Sequence, residues 1–320
     1  MPPIYAAIDL GGTKVTCALA SADGAILAER SIPTASQDGP DAVLARIAAL
    51  AADLSRETGA TPQAAGMGVP GLVDRAKGAT LFLPNLVTQW RGVEVARILG
   101  AHLGCPIYLL NDVRIATLGE MTFGHGSKTG TMVFFAIGTG IGGGVVIDGR
   151  LRLGELGAAG ELGHQTILPD GPLCGCGNHG CLEALASGPA IAAEGARLLH
   201  SGMAPKLYEL AQGRIGAVTP TLMAAAAEAG DEAVRDVLVR AATYIGIGAA
   251  NMVTALHPDL VVLGGGVSTI GPLLLDTVRE TVLRRVRMFP VDHVAIRNSA
   301  LSDKAGLYGG VALAMRAGEL

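Results

Sequence analysis

The sequence lacks a strong charge of either sign. Its 320 residues carry 24 Lys and Arg against 28 Asp and Glu, a formal net charge of -4. That balance excludes a general attraction for nucleic acid or an anionic membrane surface. An export signal is also missing. Met1-Pro2-Pro3 leads into an apolar, strand-like run carrying Asp9, with no basic start or cleavage pattern. No long linker or low-complexity tail divides the chain. Two uncharged stretches do not read as membrane spans: 129–147 holds six glycines, and 241–256 is short for a bilayer core. Cysteine is scarce, with five residues at 17, 105, 174, 176 and 181. The odd total, the missing signal and the clustering of the last three disfavour a disulfide framework. They suit a metal site in a reducing cytoplasm. Glycine is what the chain has in excess: 46 residues, clustered at particular places.

The pattern of the chain is that of an α/β protein. Ile4–Asp9, Val15–Ala20 and Ala25–Ile32 read as strands, separated by turns at Gly11-Gly12 and Asp23-Gly24. This meander differs from the strand–loop–helix unit of a dinucleotide fold. Residues 41–57 and 93–103 have helical apolar spacing. Short strands over 65–69 and 106–110 lie around the second of these, and the later strand delivers Asn111-Asp112. The centre repeats the opening: Ala136-Ile137-Gly138-Thr139-Gly140 follows the model of Ala7-Ile8-Asp9-Leu10-Gly11, each followed by an apolar strand and an Asp-Gly turn. The repeat predicts a duplicated lobe, although two Gly-rich hairpins can also resemble each other by chance. The second half predicts helices over 189–199, 220–229, 231–256, 272–285 and 305–316, with strands over 259–263 and 291–296. Gly246 and Gly248 mark close packing or a bend within the long helix.

Three thiols and one imidazole match a tetrahedral zinc ion. His164, Cys174, Cys176 and Cys181 are the predicted ligands. His179 is a competing fourth ligand, but it sits inside the tight loop between Cys176 and Cys181. Four protein ligands leave no open position, so the zinc reads as structural.

Asp9-Leu10-Gly11-Gly12-Thr13-Lys14 is not a Walker A loop. Glycine permits the turn, Thr13 offers a hydroxyl and N–H to a phosphoryl group, and Lys14 offsets charge. Asp9 suits magnesium. The second turn, Gly138-Thr139-Gly140, pairs with it as a phosphate nest. Gly264-Gly265-Gly266 adds a third backbone element suited to close approach by a nucleotide.

Asn111-Asp112 ends an apolar strand, a placement that aims side chains into a cleft. Asp112 is the candidate base for an alcohol acceptor, and Asn111 can hold a neighbouring hydroxyl. A plain helix cap is the alternative role for Asp112. Asp9 is the competing base. Glu161 and Glu183 flank the thiol cluster and suit paired sugar hydroxyls. His164 can offer one ring nitrogen to zinc and the other to a sugar.

These residues resemble the ROK family of sugar-responsive repressors and kinases over nearly the whole chain. The likeness lies in Asp9-Leu10-Gly11-Gly12-Thr13-Lys14, Gly68-Val69-Pro70-Gly71, Pro84-Asn85-Leu86, Asn111-Asp112 and Gly138-Thr139-Gly140-Ile141-Gly142. It is most diagnostic in Gly160-Glu161-Leu162-Gly163-His164, Cys174-Gly175-Cys176-Gly177 and Gly180-Cys181-Leu182-Glu183. The resemblance implies an actin-like, ribonuclease H-like fold with two duplicated α/β lobes around a central cleft. The lobes are expected over 1–115 plus 305–320, and over 116–304. It implies ATP- and magnesium-dependent phosphorylation of a hexose, first of all glucose to glucose 6-phosphate, with Asp112 as general base. N-acetylglucosamine, N-acetylmannosamine and fructose are alternative acceptors, and polyphosphate an alternative donor. Asn85, Asn111, Glu161, His164 and Glu183 are the implied sugar contacts. Residues 11–14, 138–140 and 264–266 are the implied ATP contacts. The family's zinc ligands fall on His164, Cys174, Cys176 and Cys181. A cytoplasmic homodimer or homotetramer is implied, with no nucleic acid or membrane partner. With the first strand expected within five residues of Met1, the DNA-binding region of the family's repressors is not expected ahead of it. Two departures mark the edge of the sugar pocket. Leu156 stands where Asn is frequent, and Val113-Arg114 follows Asp112 where a small pair such as Ala-Asn is common.

Overall fold

The computed structural model describes residues 2–84, 86, 88 and 90–320. The chain forms two compact units. The first comprises residues 1–128, 149–159 and 303–320, and the second residues 129–148 and 160–302.

The first unit opens with β1 (Ile4–Leu10), β2 (Lys14–Ser21) and β3 (Ile26–Pro33), an antiparallel meander. α1 (Pro40–Thr58) follows, with proline in its first turn, where a missing N–H costs nothing. β4 (Ala64–Val69) returns parallel to β1. A small hairpin, β5 (Leu72–Asp74) and β6 (Ala79–Phe82), precedes α2 (Val95–Leu103) and β7 (Ile107–Asn111). The strand order is β3-β2-β1-β4-β7. Chain direction passes without a break from β7 into α3 (Asp112–Phe123).

The second unit starts again in the same way. β8 (Met132–Ile137) and β9 (Ile141–Ile147) form an antiparallel hairpin. β10 (Arg150–Arg152) then falls within the first unit. α4 (Leu182–Ala186), α5 (Gly188–His200), α6 (Pro205–Leu210), α7 (Pro220–Glu228) and α8 (Glu232–Leu256) supply the helical layer. β11 (Leu260–Gly264) pairs parallel with β8, α9 (Pro272–Arg285) follows, and β12 (Ala295–Asn298) pairs parallel with β11. The second unit's strands therefore run β9-β8-β11-β12, the same pairing pattern as β2-β1-β4-β7. The repeat read from two glycine turns extends to strand order and direction. α10 (Ala305–Met315) closes the chain in the first unit, packed on α3, β1 and β4.

Each unit has its own apolar core, one built on Ile8, Leu10, Leu44, Ile47, Met67 and Leu99, the other on Val133, Phe135, Ile245, Val253, Val261 and Leu263. Continuous apolar strands such as β11 are buried on both faces, as parallel strands covered by helices must be. Among the described residues, α8 alone is long and apolar enough to cross a membrane. It packs instead along α9, α7 and α5. Gly246 and Gly248 allow this: a Cβ at residue 246 would stand 2.9 Å from Thr281 Cγ2, and one at residue 248 would stand 2.9 Å from Leu182 Cδ2.

Two boundaries differ from the sequence reading. The strand expected over 291–296 begins at Ala295, because Val294 N–H bonds back to the Val291 carbonyl at 2.9 Å in a turn. Val291 and Val294 are buried as anchors of that turn, which mimics the apolar content of a strand. The first compact unit also keeps all of α3, which a boundary at residue 115 would cut within its first turn.

Candidate active site

Within the first unit, the polar residues gather at one end of the sheet. β1, β4 and β7 are parallel neighbours, with Asp9 opposite Gly68 and Val69 opposite Asn111. Asp9, Asn111 and Asp112 are thus delivered at the C-terminal ends of the two strands that flank β4, where open α/β sheets hold ligands. Gly68 keeps the space between the two carboxylate residues. A Cβ there would stand 3.7 Å from Asp9 Oδ1, 3.6 Å from Asp112 Cα and 2.9 Å from Ile115 Cγ2.

Asn111 is the cap of α3. Its Oδ1 accepts the backbone N–H groups of Val113 and Arg114, at 3.1 and 3.2 Å. Its Nδ2 donates to the Gly71 carbonyl at 3.2 Å and retains a second N–H. Asp112 is the first residue of the helix and shares the Val113 N–H at 2.9 Å. Asn111 therefore caps two N–H groups and Asp112 shares one of them, and Asp112 as a residue is half-buried.

The turn after β1 is closed by Gly11 N–H donating to the Lys14 carbonyl at 2.9 Å. Thr34 braces it, with its hydroxyl on the Gly11 carbonyl at 2.7 Å and its N–H on the Thr13 carbonyl at 2.9 Å. Gly12, Thr13 and Lys14 are exposed. Burial pushes the Asp9 carboxyl above its ordinary value, against the opposing pull of Lys14. Cys17 behind it is pushed up to about 12, by burial first and the Asp9 charge second, as suits an inert core thiol.

In the second unit, Gly138 N–H donates to the Gly140 carbonyl at 2.9 Å, which closes the turn between β8 and β9. Thr139 is exposed at its tip. Glu183 Oε2 accepts the Ile141 N–H at 2.8 Å, and Gly188 N–H donates to the Gly138 carbonyl at 2.8 Å. The three glycines after β11 differ in what they face. Gly264 makes room for the Phe134 ring, 2.6 Å from where its Cβ would be. Gly265, at φ 82°, lies against the Ile137 backbone. Gly266 has nothing within 4 Å of its Cβ position and presents open space.

The sulfur and imidazole groups come together in this unit. His164, Cys174, Cys176 and Cys181 each place one donor atom within 4.8 Å of all the others. Cys176 and Cys181 Sγ are 3.7 Å apart, and Cys174 Sγ is 3.6 Å from His164 Nδ1. A tetrahedron with zinc–sulfur bonds of about 2.3 Å has edges of about 3.8 Å. The donor set therefore fits a tetrahedral ion. His179 Nδ1 instead lies 3.1 Å from the Gly171 carbonyl. Tight backbone bonds shape the loop, including Cys174 N–H to the Asn178 carbonyl at 2.7 Å and Gly180 N–H to the Pro172 carbonyl at 2.8 Å. Burial raises the Cys174 thiol and pushes Cys181 up to about 11, while the Asn178 backbone N–H pulls Cys176 down. Glu161 is exposed at the start of the short 3-10 turn Leu162–His164. Asn85, the remaining predicted sugar contact, lies outside the described residues.

Sequence reasoning missed the inward turn of Arg114. Its residue is only 2% exposed. Nη1 donates to Asn111 Oδ1 at 3.1 Å, Nε to the Ala159 carbonyl at 3.1 Å and Nη2 to the Ala158 carbonyl at 3.0 Å. The sequence reading sets Val113-Arg114 at the edge of the sugar pocket, and no spacing marks the carbonyls that Arg114 meets. Leu156, the other departure, is exposed.

Comparison with known proteins agrees with this architecture. The ROK family model matches residues 5–317. A glucokinase of Thermotoga maritima is 35% identical over 309 residues, covering 96% of this chain and 95% of the relative. A xylose repressor of Caldicellulosiruptor bescii is 33% identical over 248 residues, covering 78% of this chain and 61% of the repressor. The crystal structure of a ROK family glucokinase from Streptomyces griseus, in complex with glucose and AMPPNP, superposes with a TM-score of 0.84 at 32% identity, covering 98% of this chain and 99% of that one. The fold is that of the actin-like ATPases, and the chain belongs to the ROK family.

Proposed function

We propose that this protein, a sugar kinase by family and by its glucokinase relatives, phosphorylates glucose with ATP and uses Asp112 as the general base. The observation that carries the reading is the division of labour at the end of β7. Asn111 Oδ1 accepts two N–H groups of α3 and Asp112 Oδ1 one, and Asp112 is a half-buried residue at the tip of a buried parallel strand, its Cα 3.6 Å from where a Cβ on Gly68 would stand.

In the proposed reaction, the Asp112 carboxylate takes the proton of the 6-hydroxyl as its oxygen bonds to the γ-phosphorus. The bond from that phosphorus to the β,γ-bridging oxygen breaks, and ADP leaves. Positioning and charge supply most of the rate in such transfers. Residues 11–14 and 138–140 serve as backbone cradles for phosphate oxygens, with Thr13 and Thr139 exposed at their tips. Gly266 is the member of its glycine run that offers a close backbone approach. Asp9 suits magnesium, because burial outweighs the pull of Lys14 on its carboxyl and a divalent cation would offset the remaining cost of its charge. Magnesium would neutralise charge on the phosphates.

Asn85, Asn111, Glu161, His164 and Glu183 are the proposed hexose contacts. Asn111 has one Nδ2 hydrogen for a hydroxyl, and His164 has Nε2, since Nδ1 faces Cys174. His164, Cys174, Cys176 and Cys181 would hold a structural zinc, which would cross-link a glycine-rich loop that has little apolar surface to bury. Reduced thiols at these positions suit the cytoplasm.

A coupled assay over glucose, N-acetylglucosamine, N-acetylmannosamine and fructose, with ATP and then polyphosphate, tests the reading. Glucose with ATP is expected to give the highest kcat/KM. Preferred turnover of an acylated sugar, or of polyphosphate, would overturn the acceptor or donor assignment.

A further inference from the structure

The Gly138–Ile141 turn is held at both of its ends by one short segment. Gly188 N–H bonds the Gly138 carbonyl at 2.8 Å on one side, and Glu183 Oε2 takes the Ile141 N–H at 2.8 Å on the other. The base of Glu183 is itself fixed. It lies in the first turn of α4, two residues after Cys181, and neighbouring Leu182 is fully buried. Leu182 N–H donates to the Gln165 carbonyl at 2.9 Å, and Ser187 N–H to the Glu183 carbonyl at 3.1 Å. The other carboxylate oxygen, Oε1, is 3.9 Å from Cys174 Sγ.

Gly140 is shaped to this side chain. A Cβ there would stand 2.5 Å from Glu183 Oε2 and 3.4 Å from its Cδ, with no other atom within 4 Å. Its backbone lies outside the left-handed region, so an alanine would meet no obstacle apart from Glu183. A carboxylate beside a turn read as a phosphate cradle repels the ligand, so its placement there calls for a compensating role, and the bond to the Ile141 N–H supplies one.

We propose that Glu183 is a positioning residue that sets the shape of the Gly138–Ile141 turn through the Ile141 N–H, and so couples the thiol-bearing loop to nucleotide binding. The inference rests on reading that turn as a phosphate site. It gives Glu183 a role separate from any hexose contact, since a carboxylate has acceptor capacity for both.

Calorimetric titration of the full, metal-loaded chain with AMPPNP, without sugar, tests it. Glu183→Ala is expected to weaken binding about tenfold, the scale of one hydrogen bond to a charged group. Glu183→Gln, whose amide oxygen can accept the same N–H, is expected to stay within about twofold of the native chain. Gly140→Ala is expected to weaken binding in the native background and to cost nothing more beside Glu183→Ala. Native or tighter binding by Glu183→Ala, or independent addition of the two losses, would overturn the proposal. If Glu183→Ala loses its metal, Gly140→Ala with native metal content decides the case by the same criterion. Gly138→Ala separates the underlying reading from the inference. A Cβ there enters open space and obstructs only a ligand. Native AMPPNP affinity in Gly138→Ala removes the phosphate reading, and the inference with it. Weakened binding there, with Glu183→Ala unchanged, removes the Glu183 assignment alone.

Discussion

Asn111 Oδ1 accepts two hydrogen bonds from Arg114, one from its backbone N–H at 3.2 Å and one from Nη1 at 3.1 Å. One side chain thus caps the helix that begins with Asp112 and anchors a buried guanidinium. The same guanidinium holds the carbonyls of Ala158 and Ala159. Arg114→Met keeps much of the volume and leaves these half-buried acceptors without their donor. The expected loss is about 3 kcal/mol of unfolding free energy, read as a lower urea midpoint. An unchanged midpoint would show that water replaces the guanidinium at no cost.

Asp9 should cost the protein stability in exchange for function. Burial raises its carboxyl above the ordinary value of 3.8. Between that value and the raised one, the native state binds more protons than the unfolded state. Stability attributable to Asp9 therefore falls as pH rises through that window, and the deficit persists above it. Asp9→Asn should raise the thermal midpoint at pH 7 and remove this part of the pH dependence, while lowering turnover. Midpoints measured across the acid range for both chains check the sign. A lower midpoint for Asp9→Asn at pH 7 would contradict it.

The thiol cluster predicts one zinc per chain by elemental analysis. Cys176→Ala should lose the metal and lower the thermal midpoint, because the Cys174–Cys181 loop then loses its cross-link. Cys181, pushed up to about 11 without a metal, must give up its proton on ligation. Zinc uptake should therefore release protons and weaken as pH falls, as a pH-indicator titration would read. Full zinc content in Cys176→Ala would defeat this ligand set.

Much of this molecule was legible because its signals are local. The strand–glycine–strand unit at Ile8-Asp9 recurs at Ile137-Gly138, and the strand order of the two units repeats with it. The thiols lie within eight positions of one another and need only a tight loop to meet. What stayed hidden depends on distant partners. Arg114 meets carbonyls more than forty residues away, and Glu183 meets the Ile141 N–H 42 residues back. The β12 boundary failed for another reason: Val291 and Val294 are as buried as strand residues but belong to a turn. Within the run 264–266, glycine at the first two positions is already required by the Phe134 ring and the Ile137 backbone, so three consecutive glycines are not by themselves a ligand signal.

The proposed chemistry turns on the carboxylate after Asn111, and Asp112→Asn probes it with the shape of the site preserved. Rapid-mixing turnover with glucose and ATP, beside calorimetric Kd values for both ligands, is the direct measurement. The account predicts a fall in kcat of at least about a hundredfold, with both Kd values within about threefold of native. A kcat within about tenfold of native would contradict it and return the base to Asp9 or to solvent.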